Sequence, residues 1–320
     1  MLKSIDKNLI GIVLSGSEFK LLFGNNFYKV LNNDLMHKNH KYTNGINSCS
    51  EIFNPNGTCL AGGLYFTEPN KLFCYIHDKS KYIVKINILD DSCIYIESDA
   101  FKTDKFEINL LDKYLISEFE YWSNFEYCII ALKYNYILLQ HIKNQTLDIC
   151  KFAVNLNYKA LKYVYNQTSE ICEMAFKKNI WALKYIRNQN VLMCKLAVQS
   201  DGNVLEYIHK PTNEMCEMAI KSKGNALKFI QKQTPYLCKL SVQIWGLSLK
   251  HVLNQTDEIC KLAVESNGLA LEYVKIQTLE ICKLAVESNG LALKFVINQT
   301  PELCELAIKQ NIFASVYVKK

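Results

Sequence analysis

Nine cysteines (Cys128, Cys150, Cys172, Cys194, Cys216, Cys238, Cys260, Cys282 and Cys304) stand 22 residues apart, with no insertion or deletion between them. A fixed period of this length marks a repeat architecture and constrains the fold before any other feature does. Counted from the Gln of each Gln-Thr junction, the pattern makes nine units of 22 residues filling Ser123 to Lys320. The thirteen residues Ile259–Leu271 recur letter for letter at Ile281–Leu293.

Each unit reads as a pair of helices. Position 2 is usually Thr, as at Thr146, Thr256 and Thr278; Pro follows at Pro235 and Pro301, and acids follow elsewhere, as in Asp257-Glu258. A hydroxyl N-cap, Pro at the first helical position and acids in the first turn mark a helix start. Apolar residues then occupy positions 5, 6, 9 and 10 (Ile281, Cys282, Ala285, Val286), a single helical stripe. Asn-Gly at positions 13 and 14 (Asn267-Gly268, Asn289-Gly290) predicts a helix C-terminus with the Gly left-handed. A second apolar set at positions 16, 17 and 20 (Ala270, Leu271, Val274) completes a hairpin of two helices, roughly ten residues each. One hairpin cannot bury its apolar face, and stacked neighbours can. The expected fold is therefore mostly α. Residues 123–320 form an α-solenoid of nine helix-turn-helix repeats, and residues 1–122 a small α+β domain with a helical joint.

The thirteen cysteines include no C-x-x-C pair. Equivalent residues in stacked helices lie ~8–10 Å apart, too far for a disulfide, which needs Cα atoms within ~7 Å, and zinc ligands must converge on one point. The thiols are expected to be buried, small apolar residues, with no metal and no cofactor. The N-x-T pattern at Asn144, Asn166, Asn254, Asn298 and Asn56 matches the glycosylation sequon, but a structural reading accounts for it better. In the repeats, Asn ending one helix and Thr capping the next is the structural alternative. The apolar run "NLIGIVLSG" is too short for a signal peptide and follows Asp6, and no stretch approaches the ~18 apolar residues of a membrane span. Free thiols in such number point to a reducing compartment, so a soluble intracellular protein without membrane contact is expected.

Residues 1–122 hold 13 Lys against 15 acids, and residues 123–320 hold 24 basic residues against 16 acids. A basic solenoid raises nucleic acid as a partner. Position 7, however, changes sign along the chain (Lys151, Glu173, Lys195, Glu217), which predicts a solvated face with local pairs such as Glu258–Lys261. Arg187 is the only arginine, so bidentate base and phosphate contacts are nearly absent. An aromatic column at position 19 (Tyr163, Tyr185, Tyr207, Phe229, Tyr273, Phe295, Tyr317, with His141 and His251) suits base stacking or, three residues after a buried position, the edge of the core. The sixth unit is irregular: Ser241, Trp245, Ser248 and His251 replace the usual Ala, Asn, Ala and Tyr. Trp245, His251 and Trp181 of the third unit are candidate interface anchors, with neutral drift as the alternative. The last unit ends on Phe313, Val316 and Val318 without a separate polar cap, which points to weak self-association through the C-terminal repeat.

N-terminal to Ser123 the period changes. Lys81–Leu89, Cys93–Ser98 and Lys105–Leu110 alternate as strands, and "NPNGTCLAGG" (Asn54 to Gly63) is a turn-rich loop entering Leu64-Tyr65-Phe66-Thr67. The small domain should end near Leu110 and pass through "DKYLISEFEYW" into the first repeat. The strings "FNPNGTCLAGGLYFTEPNKLFCYI" and "YIVKINILDDSCIYIESDAFKTDKFEI" resemble the N-terminal module of repeat proteins of giant amoeba-infecting viruses of the mimivirus type, and units such as "QTPELC" with "NGLALKFV" resemble repeats of the same viruses. The resemblance covers the chain beyond about Asn44 and implies a viral protein in host cytoplasm, with virion association an alternative; it implies no established activity. "GGLYFT" is also similar to the glycine-aromatic strand of ADP-ribosyltransferases. On that analogy Gly62, Gly63 and Tyr65 would line a nicotinamide pocket, with Lys29 where that family carries a histidine, and no catalytic Glu can be placed. His37, His40 and His77 are too scattered to argue for a metal.

Three expectations follow. The leading one is a non-enzymatic scaffold whose solenoid binds host or viral proteins. The alternatives are an NAD-binding, ADP-ribosyltransferase-like N-terminal module targeted by the solenoid, and a nucleic-acid-binding solenoid.

Overall fold

The computed structural model of the chain describes residues 5–37, 40–55 and 62–319. The Asn56 sequon and the middle of the loop expected over Asn54–Gly63 lie outside them. The chain divides into two compact units, Met1–Met174 and Ala175–Lys320. The first contains the β-rich region and the opening repeats, and the second the remaining repeats.

The β-rich region runs β1 (Val13–Ser15), α1 (Gly16–Phe23), β2 (Phe27–Asn32), β3 (Met36–His37), β4 (His40–Lys41), β5 (Gly45–Ser48), β6 (Leu64–Phe66), β7 (Ser80–Asn87), β8 (Cys93–Ile96), β9 (Phe101–Thr103), β10 (Lys105–Ile108) and β11 (Tyr114–Leu115). One antiparallel sheet has the order β1-β8-β9-β6; a second has β11-β7-β10-β5, with β2 also pairing with β7; β3 and β4 form a small hairpin. The three strands anticipated at β7, β8 and β10 are all present. α1 opens on a capping box, with Glu18 N–H donating to Ser15 Oγ (3.3 Å) and Ser15 N–H to Glu18 Oε2 (2.8 Å). Phe19, Phe27, Phe66, Phe101 and Phe106 fill the core with Ile86, Ile94 and Ile108. The rings meet edge to face, Phe19 and Phe101 at 4.9 Å between centroids.

The joint differs from expectation. Instead of a helix over Asp112–Trp122 there are three 3₁₀ turns (Leu110–Asp112, Ile116–Glu118, Glu120–Ser123), and Tyr114 and Leu115 extend the sheet on Ile83 and Tyr82. The Ile116 carbonyl is the physical reason. It accepts from Phe119 N–H (3.2 Å) and from Trp122 Nε1–H (2.7 Å), so it is not spent on the i→i+4 bond of an α-helix.

Each repeat opens with a ten-residue α-helix, as in Asp257–Ser266 and Leu279–Ser288. The Thr caps form as anticipated: Thr256 Oγ1 accepts from Ile259 N–H and Thr278 Oγ1 from Ile281 N–H, each at 3.3 Å. Asn at position 22 lies in the link, outside either helix. The second helix is the correction: it is a six-residue 3₁₀ segment, as in Gly268–Tyr273 and Gly290–Phe295. Positions 14, 17 and 20 share its inner face, the spacing of three that a 3₁₀ turn requires. Asn267 is extended (φ −157°) between the two segments, and its side chain accepts from Leu269 N–H (3.0 Å) to start the second.

The repeat glycines are also explained differently. None of them has positive φ. A Cβ on Gly268 would lie 2.3 Å from the Ala285 carbonyl oxygen of the next repeat, and on Gly290 it would lie 2.4 Å from that of Ala307. Close approach of one repeat's backbone to the next therefore demands Gly, not a left-handed cap. The freed N–H groups find partners there: Gly268 N–H donates to Ser288 Oγ (3.1 Å) and Gly290 N–H to Gln310 Oε1 (2.6 Å).

Position 1 supplies a clamp. Gln299 Nε2 donates to the Leu293 carbonyl of the preceding unit (3.0 Å) and to the Tyr317 carbonyl of its own (2.9 Å), while Oε1 accepts from Lys319 N–H (2.9 Å) and Cys304 Sγ–H (3.7 Å). Leu293 O also takes Val296 N–H (3.1 Å), which ends the helical ladder at this point. The whole clamp recurs at Gln145 and Gln189; Gln255 and Gln277 keep the half of it that lies within their own unit. Cys150, Cys172, Cys194, Cys238, Cys260, Cys282 and Cys304 each donate to the Gln of their own unit, and the repeat cysteines from Cys128 to Cys282 are buried, whereas Cys93 is exposed. The twelve described ones are all free, so no disulfide forms among them.

Candidate functional site

Gly62 and Gly63 lead into β6, and Tyr65 is its middle residue, paired with Lys102 of β9. Gly62 does adopt φ +85°, and a Cβ there would meet the Ile52 carbonyl at 2.8 Å; a Cβ on Gly63 would meet the Lys102 side chain at 2.6 Å. Tyr65 is buried, and its carbonyl accepts from the buried Lys29 Nζ at 2.6 Å. Lys29, on β2, also lies 3.0 Å from His37 Nδ1. Tyr65 and Lys29, paired by sequence analogy alone, therefore do line one cavity, together with Tyr28, His37, Tyr75 and His77. Its volume is about 40 Å³, against the ~300–1,000 Å³ of small-molecule pockets. Gly62 and Gly63 do not line it.

Two further buried cations, Lys102 and Lys71, escaped the sequence reading. Lys102 Nζ donates to the Asn54 carbonyl (2.7 Å) and Lys71 Nζ to that of Ser98 (3.2 Å). Each ammonium is satisfied by backbone oxygen, the requirement for burying a charge. Nothing in the spacing of these lysines distinguishes them from surface ones.

In the repeats, the irregular sixth unit turns inward. Ser241 and Ser248 are fully buried with their hydroxyls 2.7 Å apart, and Ser241 donates to the Gly224 carbonyl at 2.7 Å. The two Ala→Ser departures satisfy each other. Trp245 is half-buried with Lys250 Nζ 5.4 Å above its ring. His251 is half-buried, its carbonyl takes the Gln233 clamp at 2.8 Å, and burial with Lys250 and Lys228 nearby holds the imidazole below its usual range. Trp181 packs edge-on against Tyr207 (5.9 Å) in the following repeat. The position-19 rings from Tyr163 to Phe295 are half-buried, the core-edge arrangement.

The charges on the first helices are paired across repeats. Lys239 meets Glu258 (2.6 Å) and Lys261 meets Glu280 (2.6 Å), nineteen residues on in each case. The expected Glu258–Lys261 pair does not form; Lys261 instead takes Asp257, one turn earlier, at 2.8 Å. An ammonium between neighbouring helices reaches two carboxylates, which the i,i+3 geometry does not offer.

Among the described residues no group of three or more His, Cys, Asp or Glu could hold a metal, and no helix is long and apolar enough to cross a membrane. In the last repeat Ile312, Phe313 and Val316 are exposed, and Ser315 Oγ turns back onto the Ile312 carbonyl (2.8 Å). No family model, curated protein or solved structure matches the chain.

Proposed function

We propose that the repeats stack as an α-solenoid and that the protein is a non-enzymatic scaffold, holding protein partners on the exposed face of that array. The observation that carries this reading is the division of labour within each unit. Residues that recur in most units (Gln, Thr, Cys, Ala, Leu, and Gly in five of the nine) are consumed by clamp, cap and core. Exposed positions vary, as at position 21, which runs His209, Gln231, Leu253, Lys275, Ile297. Such a surface is what repeat proteins use for recognition. The small volume of the cavity at Tyr65 supports the non-enzymatic reading over NAD binding. The resemblance to giant-virus repeat proteins makes host cytoplasm the proposed setting.

The test is a quantitative pull-down of the full chain from amoebal lysate, with nuclease treatment and a high-salt wash in parallel, and NAD added to a thermal melt. A discrete set of proteins retained after nuclease is expected. Recovery of nuclease-sensitive material alone, or a melting temperature raised by NAD, would overturn the reading.

A further inference from the structure

Within Ala175–Lys320 the two segments of each repeat form two rows. First helices pack on first helices, and 3₁₀ segments pack on 3₁₀ segments. The rows differ in charge. Across residues 180–319, positions 14 of one unit through 2 of the next carry nine basic residues against two acids, Glu206 and Glu272. Positions 3 to 13, between residues 191 and 311, carry seven basic residues against ten acids. On the first row Lys195, Lys239, Lys261 and Lys283 pair with acids of the next repeat, Lys223 with Asp201 of the preceding one and Lys221 with Glu217 of its own helix. On the second row Lys184 lies over the Tyr207 ring (5.0 Å), Lys228 over Phe229 (4.5 Å), Lys250 over Trp245 (5.4 Å) and Lys294 over Phe295 (4.4 Å). All four are exposed, and among the described residues none is in an ion pair. A lysine stem held along an aromatic ring is ordered before any partner arrives, which lowers the entropy lost on binding.

Apolar side chains share the row's edge. Leu253, Ile276 and Ile297 are 60%, 79% and 61% exposed. A groove of about 360 Å³ runs between Leu253, Ile276, Ile281 and Lys275, bordered by Asp257, whose carboxylate Lys261 already holds.

We propose that this row is a docking surface for an acidic polypeptide segment with interspersed apolar side chains, its carboxylates on the position-18 lysines and an apolar side chain in the Ile276 groove. The proposal rests on the scaffold reading and names its partner's chemistry. Charge complementarity selects a polyanion. Two features favour polypeptide over nucleic acid: lysines already lie over Tyr207, Phe229 and Phe295, rings on which bases would stack, and a nucleic-acid backbone has nothing to place in an apolar groove.

The test uses the full chain and a fluorescein-labelled peptide of Glu, Asp, Leu and Phe, read by polarisation at about 0.15 M salt. Polyglutamate of equal length and single-stranded oligo(dT) serve as comparison probes. The quadruple variant Lys184→Gln, Lys228→Gln, Lys250→Gln, Lys294→Gln should bind the peptide about tenfold or more weakly, four exposed pairs being lost. The matched change on the first helices (Lys177, Lys178, Lys221 and Lys309, each →Gln) should stay within about twofold, with thermal melts confirming that both fold. Ile276→Ser should weaken the peptide and leave polyglutamate unchanged. Equal loss in both quadruple variants, or oligo(dT) binding tighter than the peptide, overturns the proposal. A silent peptide with lysate proteins still captured by the second-row variant also overturns it, and leaves the scaffold reading standing. Peptide binding without specific lysate capture supports this surface and removes the scaffold reading.

Discussion

Replacing Gly268 decides between two physical accounts of the Asn-Gly step. An Ala methyl would sit 2.3 Å from the Ala285 carbonyl oxygen and 2.8 Å from Asn289 N, where ordinary contact begins at 3.4 Å. Both atoms are backbone of the next repeat, so the neighbour must move by about 1 Å, and overpacking of this kind costs about 1–3 kcal/mol. Intrinsic propensity works the other way, favouring Ala over Gly by about 1 kcal/mol. The geometry wins by a small margin for Gly268→Ala. It wins decisively for Gly268→Asn, whose larger side chain points at the same atoms. A left-handed cap would accept Asn readily. Urea unfolding followed by far-UV circular dichroism should show a lower midpoint for both variants, with Asn the worse. Hydrogen exchange should speed up first in residues 257–295. An Asn variant as stable as the parent would refute the close-approach account.

Three further outcomes are expected. Gln277→Leu keeps the volume but strips partners from the Phe295 carbonyl and Ile297 N–H, so it should lower stability by about 1–3 kcal/mol, measured by the same urea titration; a change under about 0.5 kcal/mol would reduce the clamp to a spectator. Lys29→Met leaves the Tyr65 carbonyl without its 2.6 Å donor and should destabilise the β-rich region by about 1–3 kcal/mol, seen as faster exchange of the β2 and β6 amides, whereas a neutral result would argue that the ammonium contributes no net stability. Burial pushes the Cys128 and Cys150 thiols from 9.0 up to about 11 and raises Cys194, Cys216, Cys238, Cys260 and Cys282. Because these folded-state values lie above the unfolded ones, their contribution is complete below pH 9 and lost as pH rises toward 11. The melting temperature should fall across that window, and less steeply in Cys150→Ala; a flat profile would contradict the burial.

The period, the Thr caps and the buried cysteine stripe were legible because each follows from a local rule repeated in register. The second helix was misjudged because apolar residues at 16, 17 and 20 fit an α-helix as well as a 3₁₀ turn; the bond that closes the short segment, Val296 N–H on the Leu293 carbonyl, is a backbone contact that no side-chain pattern encodes. Gly268 was misassigned because its neighbour Ala285 lies seventeen residues on. At the candidate sites, Tyr65 and Lys29 were brought together as the analogy implied, but around a cavity whose size no motif encodes. The inward turn of Ser241 and Ser248 is likewise a pairing that only the folded chain reveals.

The Gln clamp has a consequence for how such a chain can grow. The Gln clamp fastens the end of its own unit, and at Gln145, Gln167, Gln189 and Gln299 it also reaches the unit behind, so a cassette cut at the Gln-Thr junction carries its own fastening with it. Copying or excising 22 residues conserves every bond at the seam, while 21 or 23 would set the clamp against the wrong carbonyls. The identity of Ile259–Leu271 with Ile281–Leu293 fits inheritance by whole-cassette duplication. Excision of residues 255–276 should accordingly yield a folded, shorter protein, whereas excision of 255–275 should not.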